Sequence, residues 1–151
     1  MSRAPLDPHP PADAARPPSP LADEDYARLL DFRTGLRRFL HWSEQQAATV
    51  GLSAAQHQLL LAIRGHRDPQ GPTIGDAADA LCLRHHSAVG LVDRAVAAGL
   101  VSRGDNPDDQ RVVRLRLTDE GARRIAALSA LHRDELRRLH PLLEPIWADL
   151  D

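Results

Sequence analysis

The sequence predicts a mainly α fold with one small β-wing, and three observations lead there. Apolar residues recur at three- and four-residue spacing through most of residues 22–151, the period of helices with one buried face. The period drops to two only after Arg111, where Val113, Leu115 and Leu117 alternate with Val112, Arg114 and Arg116 as in a half-buried strand. Aromatic residues make up 3% of a chain that is 42% hydrophobic, so its core must be built mainly from Leu, Ala and Val, which suits helices.

In chain order, Met1 to Leu21 holds seven of the twelve prolines, cannot form helix, and is expected to be a disordered tail preceding a single domain over 22–151. A long helix is expected from Asp23 to Val50, with Asp23, Glu24 and Asp25 at the positive end of its dipole and Gly51 stopping it. Its stripe of Leu29, Phe32, Leu36, Phe39, Leu40 and Ala47, flanked by Trp42 and Tyr26, is longer than one small lobe can cover, which predicts packing on a partner chain. Ser53 and Gln56 form a capping box that opens a second helix, running to about Arg64 and burying Leu59, Leu60 and Ile63. Gly65 to Pro72, with two glycines and two prolines, is a loop.

Thr73, with Asp76 three residues on, caps a short helix whose Ile74, Ala77, Ala78 and Leu81 share one face. Cys82 to Arg84 is long enough only for a turn. The next helix faces the core with Ala88, Leu91, Val92, Ala95 and Val96 and ends at Gly99, which tolerates the left-handed conformation. A strand leaving at Leu100 and Val101, a polar loop from Gly104 to Asp109 with an exposed tip, and the strand into Leu117 make a hairpin. Thr118 then caps a second long helix with Ile125, Leu128, Leu131, Leu136 and Leu139 along one face. Pro141 should kink that helix or begin another, with Leu142, Leu143, Ile146, Trp147 and Leu150 forming a short final helix.

Helix, tight turn, helix and hairpin in that order constitute a winged helix-turn-helix over 53–117, flanked by long helices at 22–50 and 119–151 suited to dimerisation. Such a pair usually places its second helix in the DNA major groove. The outward face there holds His85, His86, Ser87, Val89 and Gly90, with Arg94 one turn on, while Arg103, Arg111, Arg114 and Arg116 lie on or beside the hairpin. Guanidinium groups suit phosphate and a narrow minor groove. The net charge of -2 does not advertise DNA, but residues 84–124 carry eight arginines against six acids, and the local field matters more than the total.

The phrase HHSAVGLVDRAVAAGLV, the Asp109-Gln110-Arg111 wing and the Leu117-Thr118-Asp119-Glu120-Gly121 entry to the next helix resemble the MarR family of transcription regulators. The resemblance spans roughly Asp23 to Asp151. It implies a homodimeric repressor or activator on double-stranded DNA, with Arg111 entering the minor groove supported by Asp109, and a small organic effector bound between the dimer helices and the DNA-binding lobe. Phe39, Trp42 and His57 are expected near that pocket. One departure stands out, since many family members carry Thr-Arg where this chain has Val89-Gly90; His86 and Ser87 then carry more of the base readout.

The same residues admit other classes. A winged helix can serve as a protein-interaction module without specific DNA binding. A metal-responsive regulator would need His41 or His57 with an acid from elsewhere, because adjacent His85 and His86 point about 100° apart on a helix. A redox-responsive one would use Cys82, whose alternative role is a small buried apolar residue. No nucleophile, base and orienter assemble from the spacing of His41, His57, His132, His140 and the acids, with Ser87 beside His86 the nearest candidate, so no enzyme and no cofactor are expected. A single cysteine and the lack of an apolar run of about 18 residues point to a cytoplasmic protein without membrane association.

Overall fold

The computed structural model describes residues 20–106 and 109–147, the side chains of 106, 110 and 142–147 excepted. Most of the Pro-rich tail, residues 1–19, lies outside the described residues, as do Pro107, Asp108 and Leu150. The order is α1 (Asp23–Thr49), α2 (Ala54–Arg64), α3 (Ile74–Ala80), α4 (His85–Ala97), β1 (Val101–Asn106), β2 (Asp109–Leu117) and α5 (Asp119–Trp147). Among the described residues no helix is long and apolar enough to cross a membrane.

The helix boundaries follow local chemistry. The Ser53 hydroxyl accepts from the Gln56 backbone amide at 3.1 Å while the Gln56 side-chain Oε1 accepts from the Ser53 backbone amide at 3.0 Å. Thr73 and Asp76 make the same reciprocal pair at 3.1 and 2.8 Å, so an aspartate completes this box as a glutamate would. At the end of α4, Gly99 takes φ +70°, its amide donating to Val96 and that of Leu100 to Ala95. This pair of bonds is a Schellman motif; it turns the chain sharply and delivers Leu100 and Val101, both buried, into the core.

The core lies where α2, α4, α5 and the base of the hairpin meet, with Leu59, Leu60, Val92, Leu100, Leu115, Ile125 and Leu128 all nearly solvent-free. The stripes of the two long helices only partly reach it. On α1 only Ser43 and Ala47 are buried, whereas Leu29, Leu30, Leu36 and Leu40, with Leu131 and Leu136 of α5, remain about half exposed in the single chain.

Three expectations are corrected. The hairpin is longer than its side chains suggested: β1 reaches Asn106 and β2 begins at Asp109, so Gly104, Asp105, Asn106 and Asp109 belong to strands rather than to a loop. Backbone pairing continues because neither face of the outer hairpin has to be apolar, and the register shift between Asp105 and Asn106 takes up the mismatch. The last helix is one element through Pro141, without a separate final helix. Proline there removes a single hydrogen bond of a 29-residue ladder. The side chains of Leu142, Leu143, Ile146 and Trp147 lie outside the described residues. Cys82 is exposed, with φ +53°, so it is a turn residue and not a packed apolar one.

Candidate nucleic-acid interface and ligand cleft

Helix α4 buries Ala88, Leu91, Val92 and Ala95 and turns the opposite face outward. His85, His86, Ser87 and Arg94 are exposed there, with Val89 and Gly90 partly covered. Helical side chains lean toward the N-terminus, and Arg94 accordingly folds back over Gly90: a Cβ built on that glycine would sit 3.4 Å from the Arg94 Nη1. The cation that a residue at 90 could have supplied is brought there from one turn further on. The N-cap Arg84 makes no side-chain cap bond.

The wing arginines do not form one set. Arg111 is exposed. Its backbone amide donates to the Asp109 carboxylate at 2.9 Å, so the acid organises the backbone of the hairpin tip. Arg103 is half-exposed and paired with Asp93 of α4, fastening the base of the wing to that helix. Arg116 is exposed. Arg114 turns inward: Nη1 donates to the Gly71 carbonyl at 2.9 Å and pairs with Asp68 at 3.1 Å, leaving the side chain 16% exposed. The alternation of β2 assigned Arg114 to a solvent face, and the signal that could have shown otherwise, the acid at Asp68, lies far away in sequence. Asp76 nearby has its carboxyl held below the ordinary range, chiefly by the Thr73 amide and in small part by the charges of His66 and Arg114.

A cleft of about 800 Å³ opens between α1, α2 and α5. Phe39 and His57 line it, with Leu40, Leu61 and Leu136 adding apolar wall. Trp42 stands behind the lining: its ring centroid is 6.0 Å from Phe39 and 5.0 Å from His132. His132, weighed in the sequence only as a catalytic candidate, is the hub of this cluster. It meets Phe39 edge-on at 5.8 Å and His57 at 4.7 Å, and both its nitrogens are engaged, Nδ1 with the Leu128 carbonyl at 2.7 Å and Nε2 with the Ser43 hydroxyl at 2.6 Å. A carbonyl can only accept, so Nδ1 donates to Leu128, while the Ser43 hydroxyl can serve Nε2 as donor or acceptor. Its place four residues after Leu128 and four before Leu136, a polar residue on an apolar stripe, was the available signal.

His57 is 4% exposed, and no described side chain hydrogen-bonds its ring. Burial first, and the neighbouring His132 second, push its pKa below the ordinary value of 6.5. Among the described residues there is no group of three or more His, Cys, Asp or Glu that could hold a metal ion; His41 is bonded to Gln45 on its own helix.

Residues 50–112 match the MarR family. Among solved structures, the chain is similar to a MarR family transcription regulator at 24% identity and TM-score 0.69, covering 79% of this chain and 77% of the other. It is also similar to CouR of Rhodococcus jostii RHA1 bound to p-coumaroyl-CoA, at 25% identity and TM-score 0.65 over 79% of this chain and 81% of that one. The Staphylococcus aureus MepR–DNA complex matches at 21% identity and TM-score 0.65, covering 78% and 84%. No curated protein sequence matches the chain.

Proposed function

We propose, from the match of residues 50–112 to the MarR family, that the chain is a homodimeric, sequence-specific DNA-binding transcription regulator, acting as a repressor and released by a small organic effector. The observation that carries the reading is the outward face of α4. It presents exposed His85, His86 and Ser87 at its first turn and holds Arg94 across Gly90. Imidazole and hydroxyl groups can hydrogen-bond base edges in the major groove, Val89 can meet a thymine methyl, and Arg94 can bond phosphate. Arg111, exposed on an outer strand organised by Asp109, is the minor-groove group, with Arg103 beside α4 a further phosphate contact.

The half-exposed leucines of α1 and α5 support dimerisation through residues 22–50 and 119–151, which sets two α4 helices on half-sites of a pseudo-palindrome about one helical turn apart. The cleft supports the effector: its apolar walls suit an aromatic or aliphatic body, and the buried His57 ring has nitrogens with no described partner to offer a polar group. The likeness to CouR, bound to p-coumaroyl-CoA, agrees with an organic ligand. Such a molecule acts only by binding the DNA-incompetent arrangement more tightly.

The test is fluorescence anisotropy of the purified protein on the DNA upstream of its own gene and on a scrambled duplex, at two salt concentrations. Preference for the native sequence by about 10³-fold or more, falling with salt, is expected of a specific regulator. No binding to either duplex at low salt refutes the reading.

A further inference from the structure

The loop 65–72 joins α2 to α3 and lies against the wing. The Leu115 amide donates to the Pro72 carbonyl at 2.8 Å, and Thr73 bridges Arg114 as an isolated antiparallel pair. The approach is so close that a Cβ on Gly71 would fall 2.3 Å from the Leu115 carbonyl oxygen. Asp68 divides its two oxygens: Oδ1 accepts from the Gln70 amide at 2.9 Å, shaping the loop, and Oδ2 takes the Arg114 guanidinium. Arg114 Nη1 alone makes both the ion pair and the bond to the Gly71 carbonyl, and Arg114 Nε is buried with no described hydrogen-bond partner.

A guanidinium engaged in this way is poorly placed to reach phosphate, since leaving would strand Asp68 and the Gly71 carbonyl. We propose that Arg114 is a positioning residue which clamps the wing to the end of α2 and sets the angle at which Arg111 is presented, without touching DNA itself. The proposal rests on the DNA-binding reading above. It also makes α2 the link between cleft and wing, since His57, Gln58 and Leu61 of that helix line the cleft while the loop that follows it grips the wing.

The clamp is tested with Arg114→Met, Arg114→Lys and Asp68→Asn, using Arg111→Ala as the reference for a true phosphate contact. Affinity for the specific duplex is measured across salt, together with hydrogen exchange at the Leu115 amide. A phosphate contact contributes about 0.9 to the slope of log affinity against log salt. For the clamp, Arg114→Met and Asp68→Asn both weaken binding by about tenfold, roughly the loss of one good interaction. Both leave the slope unchanged and speed Leu115 exchange, while Arg114→Lys recovers most of the affinity because one ammonium can make both Nη1 contacts. A slope reduced by about 0.9 in Arg114→Met, or tighter binding by Asp68→Asn through removal of an acid beside the DNA, overturns it. Should the wild type bind no DNA, the regulator reading fails, and unchanged Leu115 exchange in Arg114→Met overturns the clamp separately.

Discussion

Gly121→Ala sets two physical effects against each other. Gly121 lies in the first turn of α5, where alanine is the better helix former by about 1 kcal/mol, so propensity alone predicts stabilisation. The docked geometry predicts the reverse. A Cβ at Gly121 would stand 2.1 Å from the Leu100 carbonyl oxygen and 3.0 Å from Leu60 Cδ2, so the start of α5 must retreat by about 0.9 Å to reach the 3.0 Å at which such contacts begin to occur. That retreat strains bonds that Thr118 makes at the same junction: its amide to Leu100 at 3.1 Å and its hydroxyl to the Gly99 carbonyl at 2.6 Å, with the Gly121 amide returning to that hydroxyl at 3.1 Å. With about 1 kcal/mol for each of these three bonds and about 1–3 kcal/mol for overpacking beside the buried Leu60, the loss exceeds the gain, and a net destabilisation of about 3–5 kcal/mol is expected. Urea unfolding followed by circular dichroism at 222 nm measures it. A midpoint equal to or above that of the wild type would refute the argument and show that the helix start slides freely on Leu100.

Other outcomes follow from the same structure. Because burial depresses the His57 pKa, the unfolded chain binds more protons than the folded one below the ordinary 6.5, so this group's contribution is full above that pH and is lost as pH falls toward the depressed value; His57→Gln should flatten that part of a stability–pH profile, and an undiminished slope would assign it elsewhere. Leu128→Ala removes a solvent-free side chain from the centre of the core and should cost about 3 kcal/mol in the same unfolding assay, a cost below about 1 kcal/mol contradicting the packing. Leu36→Glu places a charge on the half-exposed face of α1 and should shift sedimentation toward monomer; an unchanged dimer would move the interface off that face. Arg111→Ala should weaken DNA binding and lower its salt slope by about 0.9 with the fold intact, and an unaltered slope would remove the wing tip from the contact.

What could be read from the chain is what residues a few positions apart decide. Ser53 with Gln56, Thr73 with Asp76, Thr118 with Gly121, and the Gly99 turn are closed by bonds spanning three to five residues, so residue type and spacing suffice to place them. The face of α4 was equally legible, because apolar spacing alone fixes which residues turn inward. The resemblance at residues 109–121 acquires a physical basis on the same scale, with Asp109 shaping the strand backbone and Gly121 leaving room for the Leu100 carbonyl.

The rest depended on segments that only folding brings together. Arg114 meets Gly71 across 43 positions, Arg124 reaches the Val50 carbonyl across 74, and His132 bonds the Ser43 hydroxyl across 89. The alternation of β2 shows that Arg114 and Leu115 point oppositely, but not that a loop covers the side where Arg114 points. Nor could helical spacing distinguish His132, bonded at both nitrogens, from His57, buried with no described hydrogen-bond partner for its ring. Periodicity specifies direction relative to a helix or strand axis; which donor or acceptor waits in that direction depends on how the elements pack.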